Sequence, residues 1–119
     1  MNLSQWGPAR VRPTDRGPRV EWRCAAGRRF TEPFFEDTVR RLPAHVTSIE
    51  EAVAWAGVHG SLAPRGFVFH GSRCGSTLLS QMLAALPENR VISEPPALDE
   101  ILRLLDIPDI RASPGCAPW

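Results

Sequence analysis

Between Gly66 and Leu86 the sequence changes character twice, and that order of segments restricts the fold more than any other feature. Gly66-Phe-Val-Phe-His70 is a short apolar run of strand-forming residues, the pattern of a central parallel strand. Gly71 to Gly75 is a loop bounded by glycines. Ser76 to Leu86 has helical spacing, with Leu78, Leu79, Met82, Leu83 and Leu86 on one wide apolar face. Pro87-Glu-Asn89 makes a turn, Arg90-Val-Ile-Ser93 reads as a second short strand, and Glu94-Pro-Pro96 breaks it. Ala97 to Leu105 then predicts a further helix with Leu98, Ile101, Leu102 and Leu105 aligned. Strand, loop, helix, strand, helix is the opening of an α/β fold with a mostly parallel sheet. Two such strands leave both sheet edges bare. The domain is therefore expected to be incomplete, as the N-terminal part of a larger protein or a chain cut short.

Upstream, residues 1–18 carry Pro8, Pro13 and Pro18 among scattered arginines and read as a flexible leader. Residues 19–60 read as a small, mostly helical segment. Arg19-Val-Glu-Trp-Arg-Cys24 alternates apolar and polar residues and predicts a strand. A helix is expected after Pro33, with Phe34, Phe35, Thr38, Val39 and Leu42 on its apolar face, ended by Pro43. Thr47-Ser-Ile-Glu50 has capping-box spacing for a second helix, buried through Ile49, Ala52, Val53 and Ala56 and closed at Gly57. Residues 61–110 hold the first part of the α/β domain, and residues 111–119 an irregular tail.

Composition narrows the chemistry. All 14 basic residues are arginine, so any reaction that needs a lysine is excluded. The formal net charge of +1 gives no electrostatic case for nucleic acid or an anionic membrane as partner. Cys24, Cys74 and Cys116 are an odd number at long spacings, indicating neither a disulfide framework nor a zinc site. Reduced thiols, no apolar run in the first ten residues and no membrane-length span lead to an expected cytoplasmic location.

The loop Gly71-Ser-Arg-Cys-Gly-Ser-Thr77 has the parts of an anion site. Backbone N–H groups in such a loop fold around an anion, at the positive end of the helix that follows. Gly71 and Gly75 allow close backbone approach, and Arg73 offers a planar, permanently charged fork. Ser72 and Cys74 are the small residues between them, and Ser76 and Thr77 place hydroxyls at the helix start. The plainer alternative is a glycine turn whose Ser76 caps the helix, which accounts for the serine but not for the set. The usual nucleotide loop carries Gly-Lys-Ser/Thr at its end; here Gly75 is followed by Ser76. A kinase or ATPase would lack its customary charge on the transferred phosphate.

The run Phe67-Val-Phe-His-Gly-Ser-Arg-Cys-Gly-Ser-Thr-Leu-Leu79 resembles the 5′-phosphosulfate-binding loop of the sulfotransferase family, in particular bacterial sulfotransferase-like proteins with an Arg-Cys-Gly-Ser-Thr loop. Ser93-Glu-Pro-Pro96 and, more weakly, Arg29 to Thr38 are similar to the same proteins. The resemblance implies the start of a parallel sheet like that of P-loop-containing nucleoside triphosphate hydrolases. It implies 3′-phosphoadenosine 5′-phosphosulfate as co-substrate, sulfuryl transfer to an acceptor hydroxyl or amine, and no metal. Gly71, Ser72, Arg73, Cys74, Gly75, Ser76 and Thr77 would hold the donor, and Arg73 would also stabilise the leaving oxygen.

Glu94 follows the second expected strand at its C-terminal end, where parallel sheets place their ligand crevices. In several sulfotransferase branches a glutamate in this region is the general base. The plainer alternative is a solvated carboxylate, or one paired with Arg73 or Arg90. His70 reads as a hydrogen-bonded structural residue. The family's second site, an arginine and a serine for the donor's 3′-phosphate, has no counterpart in Ile107 to Trp119, so this chain by itself is expected to be inactive. Two other classes remain open: a nucleotide-binding or kinase-like P-loop protein with arginine in place of lysine, and a small non-enzymatic interaction domain.

Overall fold

A computed structural model describes residues 5–60 and 62–105. Among them the order is β1 (Trp6–Arg12), β2 (Arg19–Cys24), α1 (Phe35–Val39), β3 (Ala44–Ser48), α2 (Ile49–His59), α3 (Ser76–Ala85) and α4 (Pro96–Leu104). This is a small α/β protein whose sheet is antiparallel, in the order β1-β2-β3. The expected tail, residues 111–119, and Cys116 lie outside the described residues. No helix among the described residues is long and apolar enough to cross a membrane.

The segment expected to be a flexible leader holds β1. Val11 lies opposite Val20 and Arg12 opposite Arg19, with a register shift between Pro8 and Arg10. Pro8 is tolerated because β1 is an edge strand, where a missing N–H breaks no ladder. Thr14 to Gly17 joins β1 to β2: Gly17 N–H donates to the Thr14 carbonyl at 3.1 Å, and the Thr14 hydroxyl donates to the Gly17 carbonyl at 2.7 Å. Gly17 sits at φ +96°, a conformation that favours glycine. The other edge of β1 is covered rather than left bare. Val11 N–H donates to Glu100 Oε2 at 2.6 Å, and Arg10 reaches Glu100 Oε1 at 2.9 Å, so α4 caps the strand. Arg10 also pairs with Glu36 on α1, and hydrogen bonding to Glu100 and then Glu36 raises its pKa further above an already basic value.

The N-terminal part is thus a sheet with helices on it, not a mostly helical segment. Val11, Val20, Trp22, Ala52 and Ala97 form one core cluster, with Trp6, Ile49, Trp55 and Ile101 packed against it. A second cluster joins Ala9, Ala25, Phe30, Phe35 and Val39, with Leu42 at its side. β2 follows the predicted alternation, burying Val20 and Trp22. α1 is shorter than its apolar pattern predicts and stops at Val39, before Pro43.

The capping box exists one residue later than the sequence spacing places it. Ser48 Oγ accepts from Glu51 N–H at 3.1 Å, and Glu51 Oε2 accepts from Ser48 N–H at 2.8 Å. Thr47 instead belongs to β3, where its buried hydroxyl accepts from Trp22 Nε1 at 2.8 Å. The bond from the Ser48 amide holds the Glu51 carboxyl below its ordinary pKa. α2 closes at Gly60, φ +68°, rather than at Gly57. Ser48→Ala is expected to lower the unfolding free energy by about 1 kcal/mol, read from urea denaturation.

Neither expected parallel strand forms among the described residues. Gly66–His70 and Arg90–Ser93 pair with no neighbour, because a strand's backbone needs a second strand to take its hydrogen bonds. Their apolar side chains stay open: Phe67 is 69% and Phe69 93% exposed. The apolar face of α3 is open in the same way at Leu78 and Met82.

Candidate functional site

The loop is shaped by its two positive-φ residues. Ser72 and Arg73 form a turn, Arg73 at φ +54°, and Gly75 follows at φ +85° as the N-cap of α3. An N-cap glycine has no side chain to spend on the first-turn amides, and among the described residues none is capped by another side chain. The first helical bond runs from Leu79 N–H to the Gly75 carbonyl at 3.2 Å. Ser76 is therefore the first residue inside the helix, and Gly75, not Ser76, caps it. Among the described residues, nothing bonds the hydroxyl of Ser76 or Thr77, while Ser80 Oγ donates back to the Thr77 carbonyl at 2.9 Å.

The far end of α3 is held in place. Arg29 Nη2 donates to the Ala84 carbonyl at 2.7 Å and Asn89 Nδ2 to the Leu83 carbonyl at 3.0 Å. These bonds satisfy carbonyls that the last helical turn leaves over. The helix is anchored at its C-terminus and open at its N-terminus. Gly71, Ser72, Arg73, Cys74, Gly75 and Thr77 are exposed, and Ser76 is half-buried. Arg73 makes no ion pair among the described residues, which leaves its guanidinium available to an external anion.

Glu94 is brought to the same place from 23 residues' distance in sequence to Gly71. Its Oε1 lies 3.4 Å from His70 Nε2, and His70 Nδ1 lies 3.3 Å from the Gly71 carbonyl. His70 thus lies between the loop's first residue and the carboxylate. Glu94 pairs with neither Arg73 nor Arg90; the Arg90 guanidinium carbon sits 4.9 Å over the Phe30 ring instead. Just before Glu94, the Ser93 carbonyl accepts Phe35 N–H at 2.9 Å, tying this turn to the start of α1.

Arg73 and Glu94 share one further property. Among the described residues they are the two non-glycine residues at positive φ, +54° and +48°. Each such residue costs about 1–2 kcal/mol relative to ordinary backbone. Strain of this kind concentrates where a side chain must be presented to a ligand. Arginine and glutamate carry no sequence preference for that conformation, so the spacing alone does not predict it. The His70 link was equally hidden, since it depends on the turn at Ser93-Glu94 folding back.

The chain matches no known protein family, no curated protein and no solved structure.

Proposed function

We propose that this chain is the donor-binding part of a sulfotransferase, with Gly71 to Thr77 taking the 5′-phosphosulfate of 3′-phosphoadenosine 5′-phosphosulfate. The single observation that carries the reading is the N-terminus of α3: it is capped by a glycine and, among the described residues, meets no competing side-chain bond and is flanked by an arginine with no ion pair. An anion there receives backbone N–H groups, the helix dipole and a guanidinium fork together. Ser76 and Thr77 add hydroxyl donors.

In the reaction, the acceptor's oxygen or nitrogen attacks sulfur, and the bond from sulfur to the bridging oxygen breaks. That oxygen leaves with the electron pair as part of adenosine 3′,5′-bisphosphate, and Arg73 stabilises its growing charge. Glu94 takes the acceptor's proton, oriented by His70 at 3.4 Å. The exposure of Phe67 and Phe69 supports a finer proposal for the fold. Gly66–His70 and Arg90–Ser93 become parallel strands when partner strands cover them, giving the P-loop-type sheet.

Calorimetry on the chain, comparing adenosine 3′,5′-bisphosphate with ATP, tests the reading. The bisphosphate is expected to bind with the same affinity with and without magnesium. Magnesium-dependent binding of ATP without binding of the bisphosphate would replace the reading with a kinase-like one.

A further inference from the structure

The two core clusters do not close on one another. Between them, on the side of the sheet that carries α2 and α4, lies a cavity of 680 Å³. Trp6, Trp22, Phe30, Phe35, Ile92 and Ile101 supply much of its wall, drawn from both clusters and from the segment before Glu94. That volume falls in the range of about 300–1,000 Å³ usual for small-molecule sites, and the mix of aromatic and aliphatic walls is theirs too.

Charge selects the class of occupant. No acidic residue lines the cavity among the described residues, and its two charged wall residues are both arginines. They are not equivalent. Arg23 is spent: it bonds Glu21 and donates Nη1 to the Leu42 carbonyl at 2.7 Å. Among the described residues Arg90 has no carboxylate partner, and it rests over the Phe30 ring, itself part of the wall. A desolvated apolar wall beside an unneutralised guanidinium is complementary to an apolar body ending in an anion.

We propose that this cavity binds a small molecule with an apolar body and a single anionic group, the body against Trp6, Trp22 and Phe35 and the anion at Arg90. The proposal stands apart from the loop reading, since none of Gly71 to Thr77 lines the cavity.

Decanoate and decan-1-ol are the probes, titrated into the full chain by calorimetry and by intrinsic tryptophan fluorescence, which Trp6 and Trp22 report. Saturable 1:1 binding of decanoate is expected, tighter than that of the alcohol. Arg90→Gln is expected to weaken decanoate about tenfold, the loss of one charge-assisted bond, and to leave the alcohol unchanged. Ala52→Leu fills the buried wall, and Ala56→Leu fills the exposed end of the same helix at little risk to folding. Both are expected to weaken both probes. Three results would overturn the proposal: no saturable binding of decanoate, decanoate affinity untouched by Arg90→Gln, or binding undiminished in both filled variants. A concentration-dependent dimer that Ala56→Leu dissociates, with no decanoate binding, would assign the cavity to a second copy of the chain and also overturn it.

Discussion

Trp22→Ala is expected to remove about 3–5 kcal/mol of unfolding free energy, a large part of what holds a domain of this size together. Trp22 is 5% exposed at the middle of the central strand, with α2 and α4 packed over its face. Its ring meets Trp55 edge-on at 5.8 Å, an arrangement favoured beyond simple area burial. Its Nε1 donates to the buried Thr47 hydroxyl on β3, so one side chain bonds the neighbouring strand and fills the core at once. Trp22→Phe separates the two contributions. It keeps most of the apolar volume and loses the bond, and is expected to cost about 1–2 kcal/mol, with far-UV circular dichroism in urea as the readout. A loss under about 1 kcal/mol for Trp22→Ala would mean that the first core cluster does not carry the fold.

The sequence disclosed elements whose signal is local and concealed those whose signal depends on a partner. β2 was legible from Val20 and Trp22 alone, because alternation requires nothing beyond its own six residues. α3 and α4 were legible to within a residue or two at each end from helical spacing. β1 was not, because Pro8 and Gly7 argue against a strand, and only the turn at Thr14 to Gly17 and the cap from Glu100 make one there. The capping box is legible in kind but lies one residue further on than its spacing suggests, since Thr47 and Ser48 both carry a hydroxyl and only Trp22 tells them apart. Gly66–His70 shows the opposite error. Its composition is that of a buried strand, but composition supplies no hydrogen-bond partner, and among the described residues none pairs with it. At the site, the loop was readable as a string of residue types. The contact between His70 and Glu94, and the strained backbone shared by Arg73 and Glu94, are products of folding and were not.

That strain makes Arg73 the sharpest test of the proposed site. Arg73→Ala is expected to weaken adenosine 3′,5′-bisphosphate about ten- to a hundred-fold, since a charge-assisted bond contributes about 1.5–3 kcal/mol. Affinity loss alone does not separate binding an anion from shaping a loop. Arg73→Gly does. At φ +54° arginine pays about 1–2 kcal/mol that glycine escapes, while glycine adds about 0.4–1 kcal/mol of unfolded-state entropy. Glycine should therefore hold or raise stability, by up to about 1.6 kcal/mol, while losing as much affinity as alanine does. Stability and binding moving in opposite directions is the mark of a residue held in a strained conformation for its ligand. Raising the salt concentration should shrink the difference between the native chain and Arg73→Gly, because the guanidinium is exposed and its attraction for the anion is screened. If Arg73→Gly lowered stability and affinity together, the guanidinium would be bracing the loop, and the anion would be held by the backbone of Gly75 to Thr77 without it.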